Sequence, residues 1–488
     1  MRSCFVRHAG RCTFVAVPML LGALSTARGQ LVTPKTVPIH QDEQFSIIPS
    51  ARAGMAGVSI ALDDTLADPF VNPAKATNVK VGTIFTNPFS HGISAGRGGG
   101  HTLPLGGLGA MGNWSGGVVF ALQELDHGPG NAISDRTASN QYATVVLARR
   151  LPGDVSVGAS AYVAGLNALD GVDLLYAGSD RIVQSGTLTD FRLGLTKMWG
   201  ARRLEVLLLN NNTNMSEDVH YTTFTFTPTS STTTQRTDHN ADHTKIWGLH
   251  TQYVQPVGEE GWRVGWLATV NRLSHPEIPN YQIQNIPRDP GTTYGFNAGI
   301  GAARMFGHTT FGADVIEEPM VSNTWGTAAR DTAIVGGGTL LAGARTVDNH
   351  FTFTNAKMRI GIGHDILIHD DTASVFTWQL GLGVYAINYR LHQVNHVQAN
   401  DRFDDEGWTE WTPSLGLRWR TKEMTVQYTY RRTCGPSDCT DFSFFASGDK
   451  VTVPAASTGG VIAAPSSPLT IETGVSHVHQ IMVAIPIR

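Results

Sequence analysis

From about Lys80 to its end the chain consists of runs of roughly ten residues in which apolar and polar side chains alternate with a period of two. Such a run gives one strand a greasy face and a polar face. In Trp411 to Arg420, Trp411, Pro413, Leu415, Leu417 and Trp419 take one side, and Thr412, Ser414, Gly416, Arg418 and Arg420 the other. The next run sets Met424, Val426, Tyr428 and Tyr430 against Thr425, Gln427, Thr429 and Arg431. Trp262, Val264, Trp266, Ala268 and Val270 repeat the pattern, as do Tyr294, Phe296, Ala298, Ile300 and Ala302. After the first thirty residues no window approaches the roughly 18 consecutive apolar positions of a membrane helix, so a membrane crossing requires a closed barrel. Aromatic residues gather at run ends, as interfacial girdles do, and the Gly, Thr, Asn and Arg side suits a crowded or watery lumen.

The connections alternate between very short and long. Short turns fall at 111–113, 151–154, 199–202, 258–261, 306–308, 364–371 and 421–423. Long polar loops lie near 88–101, 125–139, 166–181, 211–242, 273–291, 319–349, 391–410 and 434–476. Seven short turns interleaved with eight long loops give sixteen strands with both ends on the short-turn side; one false hairpin near 80–112 would leave fourteen. The expected fold is all-β, a transmembrane antiparallel β-barrel of 14–16 strands. The Thr/Ser-rich piece Thr222 to Thr237 reads as a low-complexity mobile outer loop. Composition agrees: 53 of the 488 residues are Gly and only 16% are charged, and 36 Lys+Arg against 40 Asp+Glu exclude an electrostatic nucleic-acid binder.

Residues 1–29 read as a secretory signal, with Arg2, Arg7 and Arg11 as the positive region, Thr13 to Ala23 as the apolar region, and Ala27-Arg28-Gly29 as the cleavage site before Gln30. A chain starting at Gln30 carries 32 basic and 40 acidic residues. Cys12 lacks a lipobox, which argues against a lipid anchor, and it leaves with Cys4. Only Cys434 and Cys439 remain. They flank a Gly-Pro turn, and without two further ligands spaced for zinc they read as a disulfide in an oxidising compartment.

Residues 30–79 do not alternate, and the barrel is expected over 80–488. Small residues at Ala51, Ala53, Gly54, Ala56 and Gly57 permit close packing in a confined space, and Asn72-Pro73 makes a turn before the first strand. The order Arg52-Ala53-Gly54-Met55-Ala56-Gly57, then Asp63-Asp64, then Asn72-Pro73-Ala74 resembles the N-terminal hatch of the FadL-type long-chain fatty-acid transporter family and the related PorV-like outer-membrane barrels. The likeness covers roughly 25 residues and rests on Arg52, Gly54, Met55, Gly57, Asn72, Pro73 and Ala74. It implies a fourteen-stranded barrel plugged by the hatch. It also implies passage of hydrophobic compounds from outer loops to an inner pocket and out sideways, through a gap at a kinked third strand. Gly116 and Gly117 in the third run are the candidates for that lateral opening. The chain departs from the family at Lys75, where Gly is usual, in its count of sixteen, and in ending Pro486-Ile487-Arg488 without a terminal aromatic.

Two catalytic patterns fail on context. Gly92-Ile93-Ser94-Ala95-Gly96 fits a nucleophile elbow and Gly107 to Gly112 a dinucleotide fingerprint, but both need a following helix, and Trp114 to Leu122 continues as a strand. His239 and His243 with Asp238 and Asp242, the acidic Asp401 to Glu406 run, and His477 with His479 lack the spacing of metal sites. The reading is a non-enzyme without cofactor or metal, in the outer membrane of a Gram-negative-type bacterium. Its expected partners are outer-membrane lipid and a hydrophobic small-molecule ligand, not nucleic acid. The alternative is a non-transporting PorV-like barrel that docks a protein partner on its outer loops.

Overall fold

The computed structural model describes residues 43–93, 99–126, 137–169, 180–227, 230–258, 261–275, 291–328, 330–368, 371–434 and 475–487. The proposed signal peptide and Cys439 lie outside them. The alternating runs become β1 (Gly82–Thr86), β2 (Phe89–Ile93), β3 (Gly99–Met111), β4 (Trp114–Asp126), β5 (Thr137–Leu151), β6 (Val155–Leu166), β7 (Arg181–Trp199), β8 (Arg202–Thr227) and β9 (Ser230–Val257). They continue as β10 (Trp262–His275), β11 (Gly291–Phe306), β12 (Thr309–Thr327), β15 (Arg345–Ile368), β16 (Asp371–Asn395), β17 (Asn400–Arg420), β18 (Thr425–Cys434) and β19 (Val475–Ile487). A two-stranded hairpin, β13 (Thr332–Ala333) with β14 (Thr339–Leu340), rides on one long connection.

From β3 on, each barrel strand pairs antiparallel with the next, β12 pairing with β15 past the hairpin, and β19 returns to β1 and β2. The sheet therefore has no open edge. Its seventeen strands make sixteen staves, because β1 and β2 are two halves of one stave lying between β3 and β19. Short turns at one rim are closed by glycines in left-handed conformation, as at Gly112 (φ 61) and Gly307 (φ 55), where a side chain would be strained.

Burial follows the alternation. Outward positions carry an exposed apolar belt that includes Leu105, Phe120, Leu193, Trp266, Ile300, Leu380 and Ile485. Inward positions are buried and largely polar, among them Gln123, Asn140, Asn211, Gln379 and Thr429. Polar-in, apolar-out is the inverse of a soluble core and the signature of a barrel standing in lipid.

The expected loop at 211–242 is a finding against the sequence reading. Most of it is ladder, with Thr222 opposite Gln235 and Asn212 opposite Lys245. The 319–349 and 391–410 loops likewise shrink, as β12 runs to Thr327 and β16 to Asn395. Polar, Thr-rich sequence was read as loop, but β-branched residues favour extended backbone, and a strand outside the membrane has no need of an apolar face.

Candidate functional site

The non-alternating segment lies inside the lumen. It contains a 3-10 turn Ala53–Met55, a short helix Asp68–Val71 and a 3-10 helix Pro73–Asn78. Local chemistry shapes each. Ala56 and Gly57 take left-handed backbone (φ 55 and 68) and reverse the chain. Asp64 folds the middle, accepting from Ser50 Oγ at 2.7 Å and from the Leu66 and Ala67 amides at 3.0 and 3.2 Å. Asn72 caps the last helix by accepting from the Ala74 N–H at 3.2 Å.

The wall meets this hatch with glycine. A Cβ at Gly361 would stand 2.6 Å from the Met55 Cβ and carbonyl oxygen, and one at Gly158 would stand 2.5 Å from the Pro73 carbonyl carbon. Gly54 returns the favour, its own Cβ position lying 2.6 Å from the Gly416 backbone. At those points the contact is too close to admit water. Met55, fully buried, packs with Val58, Ala61, Leu62 and Ala303. Side chains of the wall then grip hatch carbonyls: Arg359 donates to Gly57 at 2.7 Å, Gln379 to Ala51 at 2.8 Å, Arg150 to Thr77 at 2.7 Å, and Arg192 to Val71 at 3.1 Å.

A buried charge network locks the far side. Lys75 pairs with Asp68 at 2.7 Å and with Glu205 at 3.3 Å, Arg203 pairs with Glu205 at 2.7 Å and with Asp63 at 2.5 Å, and Arg263 reaches Asp63 at 2.9 Å. Burial alone would raise the Asp63 carboxyl, but Arg203, Arg263 and Lys75 outweigh it and hold it well below the usual range. Burial would also strip the Lys75 proton, yet Glu205 and Asp68 outweigh it and keep the ammonium charged. At Asp68 the balance tips the other way. Burial, with Asp64 beside it, prevails over Lys75 and pushes that carboxyl up to about 6.

Every residue of the hatch motif is thus placed. Arg52 reaches the Met55 sulfur at 3.8 Å and the Asp63 carbonyl at 3.5 Å, Gly54 and Met55 face β15 to β17, Gly57 meets Arg359, and Asn72, Pro73 and Ala74 lie against β6 and β7. Sequence reasoning missed the charge network and counted Lys75 only as a departure. A signal was present, since period two puts Arg203 and Glu205 on one face, opposite Leu204.

Gly116 and Gly117 sit in unbroken ladders, opposite Gly109 and Leu108 on one side and Leu147 and Val146 on the other. The first stave, in contrast, is interrupted. Between Thr86, opposite Leu105, and Phe89, opposite Thr102, come Asn87 and Pro88, which face Pro104 and Leu103. The Asn87 N–H donates to Pro104 at 3.3 Å and the Ile481 N–H to Pro88 at 2.9 Å. The return bonds do not exist, because neither proline has an N–H. This stave therefore lacks one ladder bond on each side, within the apolar belt marked by Leu103, Leu105 and Leu122. Asn87 itself is fully buried, and both polar atoms of its side chain meet no hydrogen-bond partner among the described residues. Such a group costs about 1–3 kcal/mol.

Above the hatch, Met320, Phe351, Phe353, Ile387 and Leu391 form an apolar patch on the inner wall with Tyr385 against it. Among the described residues no group of His, Cys, Asp or Glu is arranged to hold a metal. Cys434 is disulfide-bonded at the end of β18, with its partner outside the described residues.

A closed barrel filled by its own N-terminal segment, seated by the residues of the hatch motif, is the architecture that the sequence resemblance implies. The fold is a closed antiparallel β-barrel plugged by its own N-terminal segment. It has sixteen staves where the resemblance implied fourteen. No family model matches the sequence, and no curated protein is significantly similar to it in sequence. Among solved structures, a FadL homologue of Pseudomonas aeruginosa matches at 11% identity and TM-score 0.42, over 91% of this chain and 99% of that one. The Pseudomonas putida toluene transporter TodX matches at 9% identity and TM-score 0.37, over 89% of this chain and 96% of that one. A ferric enterobactin receptor of Pseudomonas aeruginosa, at 9% identity and TM-score 0.36 over 83% of this chain and 80% of that one, scores about as well. At such scores these likenesses do not distinguish one cargo from another.

Proposed function

We propose that the protein is an outer-membrane channel for passive uptake of hydrophobic small molecules such as fatty acids, and that they leave it sideways through the seam at Asn87, Pro88 and Pro104. The observation that carries this reading is the position of the seam. The hatch packs backbone against backbone across the short-turn half of the lumen, so an axial path is blocked. The first stave is short of ladder bonds inside the apolar belt, where an exit leads into lipid. The inner patch around Phe351 and Phe353 offers a hydrophobic solute a place before it departs.

The test is uptake of a labelled long-chain fatty acid and of a neutral aromatic hydrocarbon by cells lacking their own transporter and supplied with this barrel. Pro88→Thr combined with Pro104→Thr restores both missing donors. The reading expects lower uptake with an intact, heat-resistant barrel. Undiminished uptake by that variant would exclude the sideways route, and no uptake by the unaltered barrel would exclude transport.

A second reading keeps one observation of its own. The β8–β9 ladder continues some 17 residues beyond Asn210, on the order of 50 Å of strand at about 3.3 Å per residue, to Thr227 and Ser230. A PorV-like barrel that docks a protein would use such a projection. On this reading the unaltered barrel takes up no label, and removing the projection would abolish partner recruitment.

A further inference from the structure

The outer wall over the seam is grooved. Among the described residues a hollow of about 860 Å³ lies on the membrane side, floored by Pro88, Ser90, Leu103 and Leu122 and flanked by Tyr428 and Gln141. Strand register fixes its depth. One rung of the ladder joins His479, Ser90, His101, Glu124 and Ser139. The rung nearer the short turns carries Ile481, Leu103 and Leu122, which are 48%, 58% and 64% exposed. The groove therefore straddles the line where the outward face changes from aliphatic to polar, which is where an amphiphile in the bilayer changes from chain to head.

The polar rung also speaks to the head. Among the described residues no Lys or Arg lines the groove, so a phosphate or carboxylate finds no cation from them and meets the Glu124 carboxylate. A hydroxyl or amide head finds Glu124 as acceptor, and Ser90, Ser139 and His101 as partners of either kind. The Tyr428 hydroxyl is already engaged with His479 at 2.9 Å, which closes that flank. Directly behind the floor are the two absent ladder bonds and the unpaired Asn87 amide.

We propose that this groove binds a single-chain amphiphile with an uncharged, hydroxyl- or amide-bearing head, its chain along Leu103, Leu122 and Ile481 and its head at the rung of Ser90, His101 and Glu124. The proposal rests on the sideways route for its place beside the seam; it concerns what docks on the lipid face and sets no limit on what the seam releases.

The experiment is photo-crosslinking of the full chain in phospholipid nanodiscs with a diazirine-bearing long-chain alcohol, the matching carboxylic acid and the matching alkyl phosphate. The alcohol should label peptides containing Leu103 and Leu122 about ten-fold more than those containing Val270 and Phe296, which face lipid across the barrel. Unlabelled alcohol should compete, Ser90→Trp should remove the excess by filling the floor, and the acid and phosphate should label both arcs alike. Even labelling by the alcohol, or equal preference for all three heads, would overturn the site. Even labelling beside seam-dependent uptake would overturn the groove and leave the route standing. Groove labelling without seam-dependent uptake would uphold the site and sink the route.

Discussion

The hatch socket and the first stave occupy the same wall and are built on opposite terms. In the socket, glycine admits the plug backbone, wall side chains satisfy its carbonyls, and Lys75, Arg203 and Arg263 answer Asp63, Asp68 and Glu205. At the first stave Pro88 and, from neighbouring β3, Pro104 withhold hydrogen bonds, and the buried Asn87 amide meets no partner among the described residues. The molecule is closed toward the short-turn rim and weak toward the membrane. The plug is held by satisfied bonds while the first stave leaves some unmade, so the two regions should answer differently to substitution.

If the socket is sealed by its charges, Lys75→Met should break it most severely. The substitution leaves Asp68 and Glu205 buried without their cation, and removing one partner of a buried pair costs about 3–5 kcal/mol. Single-channel recording in a planar bilayer should show an open pore where the unaltered protein conducts poorly. Gly361→Val should follow, at about 1–3 kcal/mol, because its Cβ enters the space of Met55. The same recordings on Pro88→Thr should show no leak, since the seam leads to lipid rather than through the plug.

The pH response sharpens the comparison further. Asp68 holds its proton up to about 6 in the seated hatch against 3.8 for a free carboxyl. Its contribution to seating is therefore complete below 3.8 and is lost as pH rises through 6. Asp63 has the opposite sign: its contribution is present above 3.8 and declines only as pH falls below that. Lys75, Asp64, Arg203 and Glu205 face Asp68 across this range. Leak measured from pH 7 to pH 5 should thus fall, and Asp68→Asn should flatten the curve. A leak that grew on mild acidification would contradict the assignment. The smallest effect on the leak belongs to Cys434→Ser. Cys434 ends β18, away from the hatch, so the leak should not change, while losing a disulfide at a buried position should cost the barrel about 2 kcal/mol of heat resistance.

Much of the architecture was legible because a barrel strand shows its two faces every second residue. Trp411 to Arg420 could be assigned face by face, and the short turns at Met111 to Asn113 and Phe306 to His308 fell where they were expected. Outside the membrane the signal fades, since neither face need be apolar, and the β8–β9 extension was read as loop. The hatch motif was legible as a string of small residues before an Asn-Pro turn. Its lock was not, because Lys75 and Glu205 are 130 residues apart and meet only through the register that sets β8 beside the plug. The seam was harder still. Pro88 and Pro104 are ordinary in isolation and become a defect only when β1, β2 and β3 lie side by side.

That juxtaposition allows the central claim to be switched within one molecule. Ser90 and His101 are outward neighbours across the ladder, so Ser90→Cys with His101→Cys permits a bond that ties the first stave to β3 and leaves both prolines in place. Uptake of a labelled long-chain fatty acid should then be low when the pair is oxidised and recover on reduction, while the parent barrel is indifferent to the same treatment. Equal uptake in the oxidised and reduced states would contradict exit through this seam.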